Sequence, residues 1–227
     1  RDDVESRGLG DVYKRQDEPL YVEEKSIMYL MARAAKQAGT PAIRTSSIRD
    51  VIAIKEETGL PVIGLVKIQY PGYEGYITPT MKEVDDLVAA GSDVVALDCT
   101  LRKRGDGTTV NEFIAQIKEK YPDIILMADI SNYEEGVNAW KCGVDIVGTT
   151  MSGYTDYTSK KDEPDYELME RLAKDIDIPV IGEGKIHYPD QAVKALQTGV
   201  WAIVVGGAIT RPLEIAQRFQ KAIEAGK

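Results

Sequence analysis

Arg44, Lys67, Asp98, Asp129, the pair Thr149 and Thr150, Glu183 and the pair Gly206 and Gly207 stand near the ends of seven short apolar runs. One charge at the end of an apolar run marks an exit to solvent. Five ionisable side chains brought to one mouth form a functional cluster. The stretch VIGEGKIHYP (180–189) shows the pattern in miniature, with an apolar run finishing on an acid, a glycine and a base. The glycines point to a ligand class. GEGK closes the sixth of the seven runs and VGGAITRP the last, and the backbone N–H groups of glycine loops and helix N-termini bind phosphate. Arg211 adds a forked charged donor beside the second loop. His187, the only histidine, lies past a strand end and is expected to have a surface or supporting role, while Lys185 either neutralises phosphate or is simply solvated.

These residues need elements to hold them. PAIRTS (41–46), PVIGLVK (61–67), DVVALDCT (93–100), IILMADI (124–130), DIVGTTM (145–151), PVIGEGK (179–185) and WAIVVGGA (201–208) are apolar at successive positions, as strands buried on both faces of a parallel sheet are. Between them, Ile27, Leu30, Met31, Ala34, Ala35 and Ala38 fall on one helical face, as do Val110, Phe113, Ile114, Ile117 and Tyr121. Gly39, Gly59, Gly91, Gly143 and Gly199 are placed to end helices in the left-handed conformation. Ser131 with Glu134 reads as a capping box, and Pro212 suits the first turn of a last helix. The even strand–helix repetition, without a composition break, predicts one α/β domain. An open doubly wound sheet and a closed eight-stranded TIM (β/α)8 barrel both fit such repetition. No glycine-rich dinucleotide fingerprint follows an early strand, so the barrel is favoured, provided an eighth strand precedes residue 20.

Charge and composition narrow the partners. A net charge of -9, from 28 basic and 37 acidic residues, disfavours nucleic acid and anionic membrane surfaces, though a local basic site can still take a small anion. No apolar run reaches the roughly 20 residues of a membrane span, and no secretory signal is read at the start. Cys99 and Cys142 give no disulfide framework and are expected to be reduced packing residues of a cytoplasmic protein.

The motifs VVALDCT, MADISNYEEGVNA, VGTTMSGYT, GEGKIHYPDQA and IVVGGAITRP resemble those of the N-acetylmannosamine-6-phosphate 2-epimerase family of bacterial sialic-acid breakdown. The resemblance runs from about Glu18 to the C-terminus. It implies a TIM barrel that interconverts the mannosamine and glucosamine phosphates with neither metal nor cofactor; a homodimer is compatible with the sequence, which does not itself give the oligomeric state. Epimerisation next to an aldehyde requires proton-transfer groups around one carbon and donors at the carbonyl oxygen. By resemblance Lys67 is the principal proton-transfer residue and Glu183 completes the exchange or positions substrate. Arg44, Asp129 and Tyr154 are implied as sugar contacts, and Gly184, Gly206, Gly207 and Arg211 as further substrate contacts toward the phosphate. A lysine among cations and apolar walls would have its pKa lowered.

Two departures from the family accompany the resemblance. Ile68 and Gln69 follow Lys67 where the family often has Arg-Asp, which removes an ionic support. Residues 1–16, RDDVESRGLGDVYKRQ, are polar where the family has an apolar strand carrying a substrate-contacting glutamine. They are expected to be foreign sequence outside a barrel domain of residues 17–227, whose first strand is missing or replaced. A Schiff-base aldolase using Lys67 or Lys185 and an inactive sugar-phosphate-binding barrel are the competing readings; a metal-dependent epimerase fits poorly with a single histidine.

Overall fold

The structure is a computed structural model, and it describes residues 26–160 and 162–226. All seven apolar runs form strands: β1 (Ile43–Ser46), β2 (Val62–Leu65), β3 (Val94–Asp98), β4 (Ile125–Asp129), β5 (Ile146–Gly148), β6 (Val180–Gly182) and β7 (Ala202–Ile203). Every neighbouring pair is parallel and the strand order equals the chain order. The connecting helices are α1 (Met28–Gln37), α2 (Ile48–Thr58), α3 (Met81–Ala89), α4 (Val110–Lys120), α5 (Tyr133–Lys141), α6 (Tyr166–Asp175) and α7 (Pro189–Gln197). A short helix α8 (Gly207–Thr210) and a longer α9 (Pro212–Ala225) follow the last strand. This is the curled, singly wound sheet of a TIM-type barrel. The segment expected to hold or replace a first strand, residues 1–16, lies outside the described residues.

Two apolar clusters divide the sheet into faces. Ile63, Leu65, Val94, Ala96, Met127, Ile181, Ala202 and Val204 form the inner one. Val62, Val95, Leu97, Leu126, Ala128, Val147, Val180 and Ile203 pack outward against the helices. Side chains alternate along a strand, so parity alone decides which residue reaches the interior. That is why both faces must be apolar and why the runs are continuous in Val, Ile and Leu.

The helix ends follow local rules. Gly39, Gly59, Gly91, Gly143 and Gly199 have φ of 91°, 64°, 82°, 88° and 94°, the left-handed conformation expected of them. Pro212 opens α9. The cap of α5 differs from expectation by one residue. Asn132, not Ser131, is the extended N-cap residue, and its side chain accepts from the Glu135 N–H at 3.0 Å. Glu135, not Glu134, reaches back to the Ser131 N–H and hydroxyl, each at 2.7 Å. The helix starts at Tyr133, so its third residue is Glu135. No helix among the described residues is long and apolar enough to cross a membrane.

Candidate active site

Parity carries the ionisable residues inward. Lys67 follows Ile63 and Leu65 by twos, Asp129 follows Met127, Glu183 follows Ile181, and Thr150 follows Gly148, which pairs with Asp129. Each therefore lies above the inner apolar cluster, at the carboxyl ends of the strands where barrels carry their chemistry. Gly148 is small for a reason: a Cβ there would stand 2.3 Å from Met127 Cε and 3.2 Å from Thr150 Oγ1.

Beneath the opening lies a buried ion cluster. Arg44 Nη2 donates to Asp129 Oδ2 at 2.7 Å, and neither side chain has exposed surface. Arg44 Nε is 3.3 Å from Glu183 Oε2, but the angle misses hydrogen-bond geometry. The guanidinium therefore acts on that oxygen through its charge alone, without a hydrogen bond. Thr150 Oγ1 stands 2.7 Å from Asp129 Oδ1 and 3.2 Å from Glu183 Oε2. Thr149 fixes the Glu183 backbone: its hydroxyl donates to the Glu183 carbonyl at 2.8 Å and accepts from the Glu183 N–H at 3.0 Å.

Lys67 sits above this cluster. Burial lowers its pKa to about 8; Glu183 and Asp129 oppose the shift, and Arg211 adds to it. Burial likewise pushes the Glu183 carboxyl up and Asp129 reinforces the shift, against Arg44, Lys67 and the Thr150 hydroxyl. An amine that loses its proton easily thus faces an acid that holds one well, the arrangement acid–base exchange needs. With a pKa near 8, about a tenth of the molecules carry a neutral Lys67 at pH 7. In the direction where Lys67 acts as base, kcat/KM should climb about tenfold between pH 7 and pH 9 and then level off. A flat profile over that range would show that Lys67 does not titrate in turnover.

The lysine is held by the chain doubling back on itself. Lys67 forms an antiparallel bridge with Ile77, flanked by Ile68 N–H to the Tyr76 carbonyl at 2.9 Å and Thr78 N–H to the Val66 carbonyl at 2.7 Å. Gln69 Nε2 donates to the Tyr73 carbonyl at 2.5 Å. Where an Arg-Asp pair would give ionic support, main-chain hydrogen bonds and an amide fasten this loop.

Above lies a cavity of about 210 Å³ lined by Lys67, Tyr76, Tyr154, Glu183, Gly184, Lys185, Gly206, Gly207 and Arg211, among others. Seven of the nine residues named from the sequence therefore share one cavity, and Arg44 and Asp129 form its ionic underside. Arg211 pairs with Glu214 through Nη1, while its Nε is buried without a hydrogen-bond partner. Lys185 Nζ lies 5.4 Å from the Tyr154 ring centroid. His187 also lines the cavity, its Nδ1 3.0 Å from Arg218 Nη1. Burial and that guanidinium hold the imidazole below its ordinary pKa, so the neutral ring accepts from Arg218.

Asp98 leaves the cluster that its strand-end position suggested. Thr100 donates to Asp98 Oδ1 from both N–H and hydroxyl, and Arg102 Nη2 meets Oδ2 at 2.6 Å. Its own loop satisfies it. Tyr76 is a lining residue that the apolar runs did not reveal, with Lys67 Nζ 5.8 Å from its ring centroid. The only signal was the tyrosine-rich insert YPGYEGY (70–76) after β2.

A cavity lined by a lysine, a glutamate and glycine loops, at the carboxyl end of a curled parallel sheet, lies where a TIM-barrel enzyme carries its chemistry. Residues 28–225 match the family described as "Putative N-acetylmannosamine-6-phosphate epimerase". The chain belongs to that family. It is 53% identical over 204 residues to a protein of Caldanaerobacter subterraneus subsp. tengcongensis, with 90% of this chain and 85% of that one covered. It is 47% identical over 223 residues to one of Clostridioides difficile, with 98% of each covered. Both are named "Putative N-acetylmannosamine-6-phosphate 2-epimerase". The solved structure of the N-acetylmannosamine-6-phosphate 2-epimerase from Clostridium perfringens aligns with a TM-score of 0.88 at 46% identity, covering 95% of this chain and 92% of that one.

Proposed function

We propose that this chain is an isomerase that interconverts N-acetylmannosamine 6-phosphate and N-acetylglucosamine 6-phosphate by removing and returning the proton at carbon 2 of the open-chain sugar. The observation that carries the reading is the pairing in one cavity of Lys67, its pKa lowered to about 8, with Glu183, whose carboxyl is pushed up. In the open-chain aldehyde, the carbonyl beside carbon 2 takes up the electrons when the proton leaves. Lys67 removes or returns that proton, and Glu183 completes the exchange or positions the sugar. Arg44 and Asp129 act from below, holding Glu183 against the cavity. Tyr154 bounds the sugar from above.

The phosphate end lies at Gly184, Gly206, Gly207 and Arg211. The unsatisfied Arg211 Nε supports this, since a phosphate oxygen would supply the acceptor the protein withholds. Arg211→Ala should raise KM for the phosphorylated sugar about ten- to hundredfold, the effect of losing one bond to a charged group, and leave the unphosphorylated sugar's poor turnover nearly unchanged. Equal losses for both sugars would move the phosphate elsewhere.

A cytoplasmic homodimer belongs to the same reading. No residue of α9 is buried, and Phe219 and Ile223 are exposed on it, which supports a second copy against that helix. Sedimentation at the mass of a single chain would remove the dimer.

Among the described residues, no group of three or more His, Cys, Asp or Glu stands together to hold a metal ion. Turnover should therefore survive excess EDTA. Incubating the protein with N-acetylmannosamine 6-phosphate and EDTA, with the products followed by NMR, tests the whole assignment. Appearance of the carbon-2 epimer supports it. Cleavage to smaller fragments would make the chain an aldolase, and binding without conversion would make it an inactive barrel.

A further inference from the structure

The Thr150 hydroxyl poses a question of proton count. It carries one hydrogen and stands within hydrogen-bonding distance of two carboxyl groups, Asp129 Oδ1 at 2.7 Å and Glu183 Oε2 at 3.2 Å. Asp129 is the ion-pair partner of a fully buried arginine, so it can only accept. The shorter distance gives the Thr150 hydrogen to Asp129. That leaves a Thr150 lone pair facing Glu183 Oε2, and a hydrogen supplied by Glu183 itself satisfies the second contact without sharing the first.

We infer that Thr150 is a positioning residue for the epimerisation: in the resting site it accepts a hydrogen bond from protonated Glu183, and it turns its own hydrogen from Asp129 to Glu183 when that proton leaves. The inference rests on Glu183 exchanging a proton with the sugar, as proposed above. One rotation of a hydroxyl then gives Glu183 a partner in both of its protonation states. An epimerase that runs in both directions needs both states within reach. While Thr150 is turned away, Arg44 Nη2 still holds Asp129 through its other oxygen. No atom is gained or lost at Thr150; the proton given up by Glu183 goes to carbon 2, the one removed from carbon 2 stays on Lys67, and exchange of both groups with water, or the reverse reaction, resets the site.

The charged and titratable groups facing Glu183 come from every neighbouring element. They are Arg44 on β1, Lys67 after β2, Asp129 on β4, and Tyr154 in the loop after β5. Three of the four cannot both donate to and accept from Glu183 on a simple bond rotation, and the Tyr154 phenol, which could, makes no hydrogen bond to it. Arg44 and charged Lys67 donate only, and Asp129 accepts only.

The test compares Thr150→Val, which keeps the branched shape and removes the hydroxyl, with Thr150→Ser, which keeps the hydroxyl. Thr150→Val should lower kcat roughly ten- to hundredfold with KM within about threefold, the size expected for one bond to a charged group. The limb of the kcat–pH profile set by Glu183 should move to higher pH, because the carboxylate has lost a donor. Thr150→Ser should restore both. A Thr150→Val enzyme with unchanged kcat and profile, or equal losses in Val and Ser, overturns the inference. Should Thr150→Val fail to fold, infrared spectroscopy of the unmodified protein decides. A carboxylic-acid C=O band present at neutral pH and lost in Glu183→Gln supports it; absence of that band overturns it. Lys67→Ala keeps the two levels apart, since an active Lys67→Ala enzyme breaks the acid–base reading itself. An inactive Lys67→Ala enzyme beside an unaltered Thr150→Val breaks only the role of Thr150.

Discussion

Lys67→Ala is expected to lower kcat for N-acetylmannosamine 6-phosphate by about 10²–10⁴-fold, the range for loss of a positioned acid–base group. KM should change far less, because the phosphate end at Arg211 and the glycine loops remains. Stability should hardly move: Lys67 borders an open cavity, and its own pKa, lowered to about 8 by burial, shows that the charged form gains little from the fold. Glu183→Gln should give a loss of the same order, with shape and burial kept. The two losses should not add, because residues acting on one proton transfer fail together. Turnover of Lys67→Ala within a few-fold of the unmodified enzyme, measured at saturating substrate, would show that another group moves the proton.

The largest effect on stability is expected at Arg44, the largest fully buried side chain among the described residues. It is the cation between Asp129 and Glu183. Arg44→Met keeps most of the length and fills the same apolar surroundings, yet it takes away the cation that Asp129 and Glu183 share and leaves only the charge of Lys67 to oppose them. Removing one partner of a buried ion cluster costs about 3–5 kcal/mol. For a chain of this size that corresponds to roughly 6–20 °C in Tm. The pH dependence follows from the sign of the shift at Glu183. Its folded pKa is raised above the unfolded value, so its stabilising contribution is full at low pH and lost as pH rises through the folded pKa. Removing Arg44 takes away the strongest opposing influence and raises that pKa further. The deficit of Arg44→Met should therefore be greatest at neutral pH and narrow toward pH 4, where the carboxyl groups take up protons. A deficit independent of pH, followed by thermal melting, would mean that lost packing outweighs lost charge.

Much of this architecture is legible in the sequence because the sheet is buried on both faces. Runs such as VVALD and ILMAD leave no polar position to hide their extent, and each finishes near the residue that enters the site. Strand parity then places Lys67, Asp129 and Glu183 inward before any contact is known. Loops give up less. Asp98 has the same strand-end position as Asp129, with which it is in register, yet Thr100 and Arg102 claim it from its own loop. Nothing in an apolar run foretells that capture. Tyr76 reaches the cavity only because the insert after β2 doubles back to bridge Lys67 with Ile77, a pairing set by main-chain hydrogen bonds rather than by side-chain pattern. The cap of α5 shifts from Ser131 to Asn132 since both residue types cap well, and only the backbone geometry chooses between them. The lowered pKa of Lys67 has the causes expected of it, burial first and then the Arg211 cation; the opposing carboxyl groups alone would have raised it.

Proton exchange at carbon 2 is the centre of the account, and the isotope content of that carbon measures it. With N-acetylmannosamine 6-phosphate as substrate in deuterated water, followed by proton NMR, the carbon-2 signal of the N-acetylglucosamine 6-phosphate formed should be replaced by deuterium as the product appears. Lys67→Ala should form neither product nor exchanged substrate on the same timescale. Product that keeps its original proton at carbon 2 throughout, or substrate captured covalently on Lys67 by borohydride, would contradict the account.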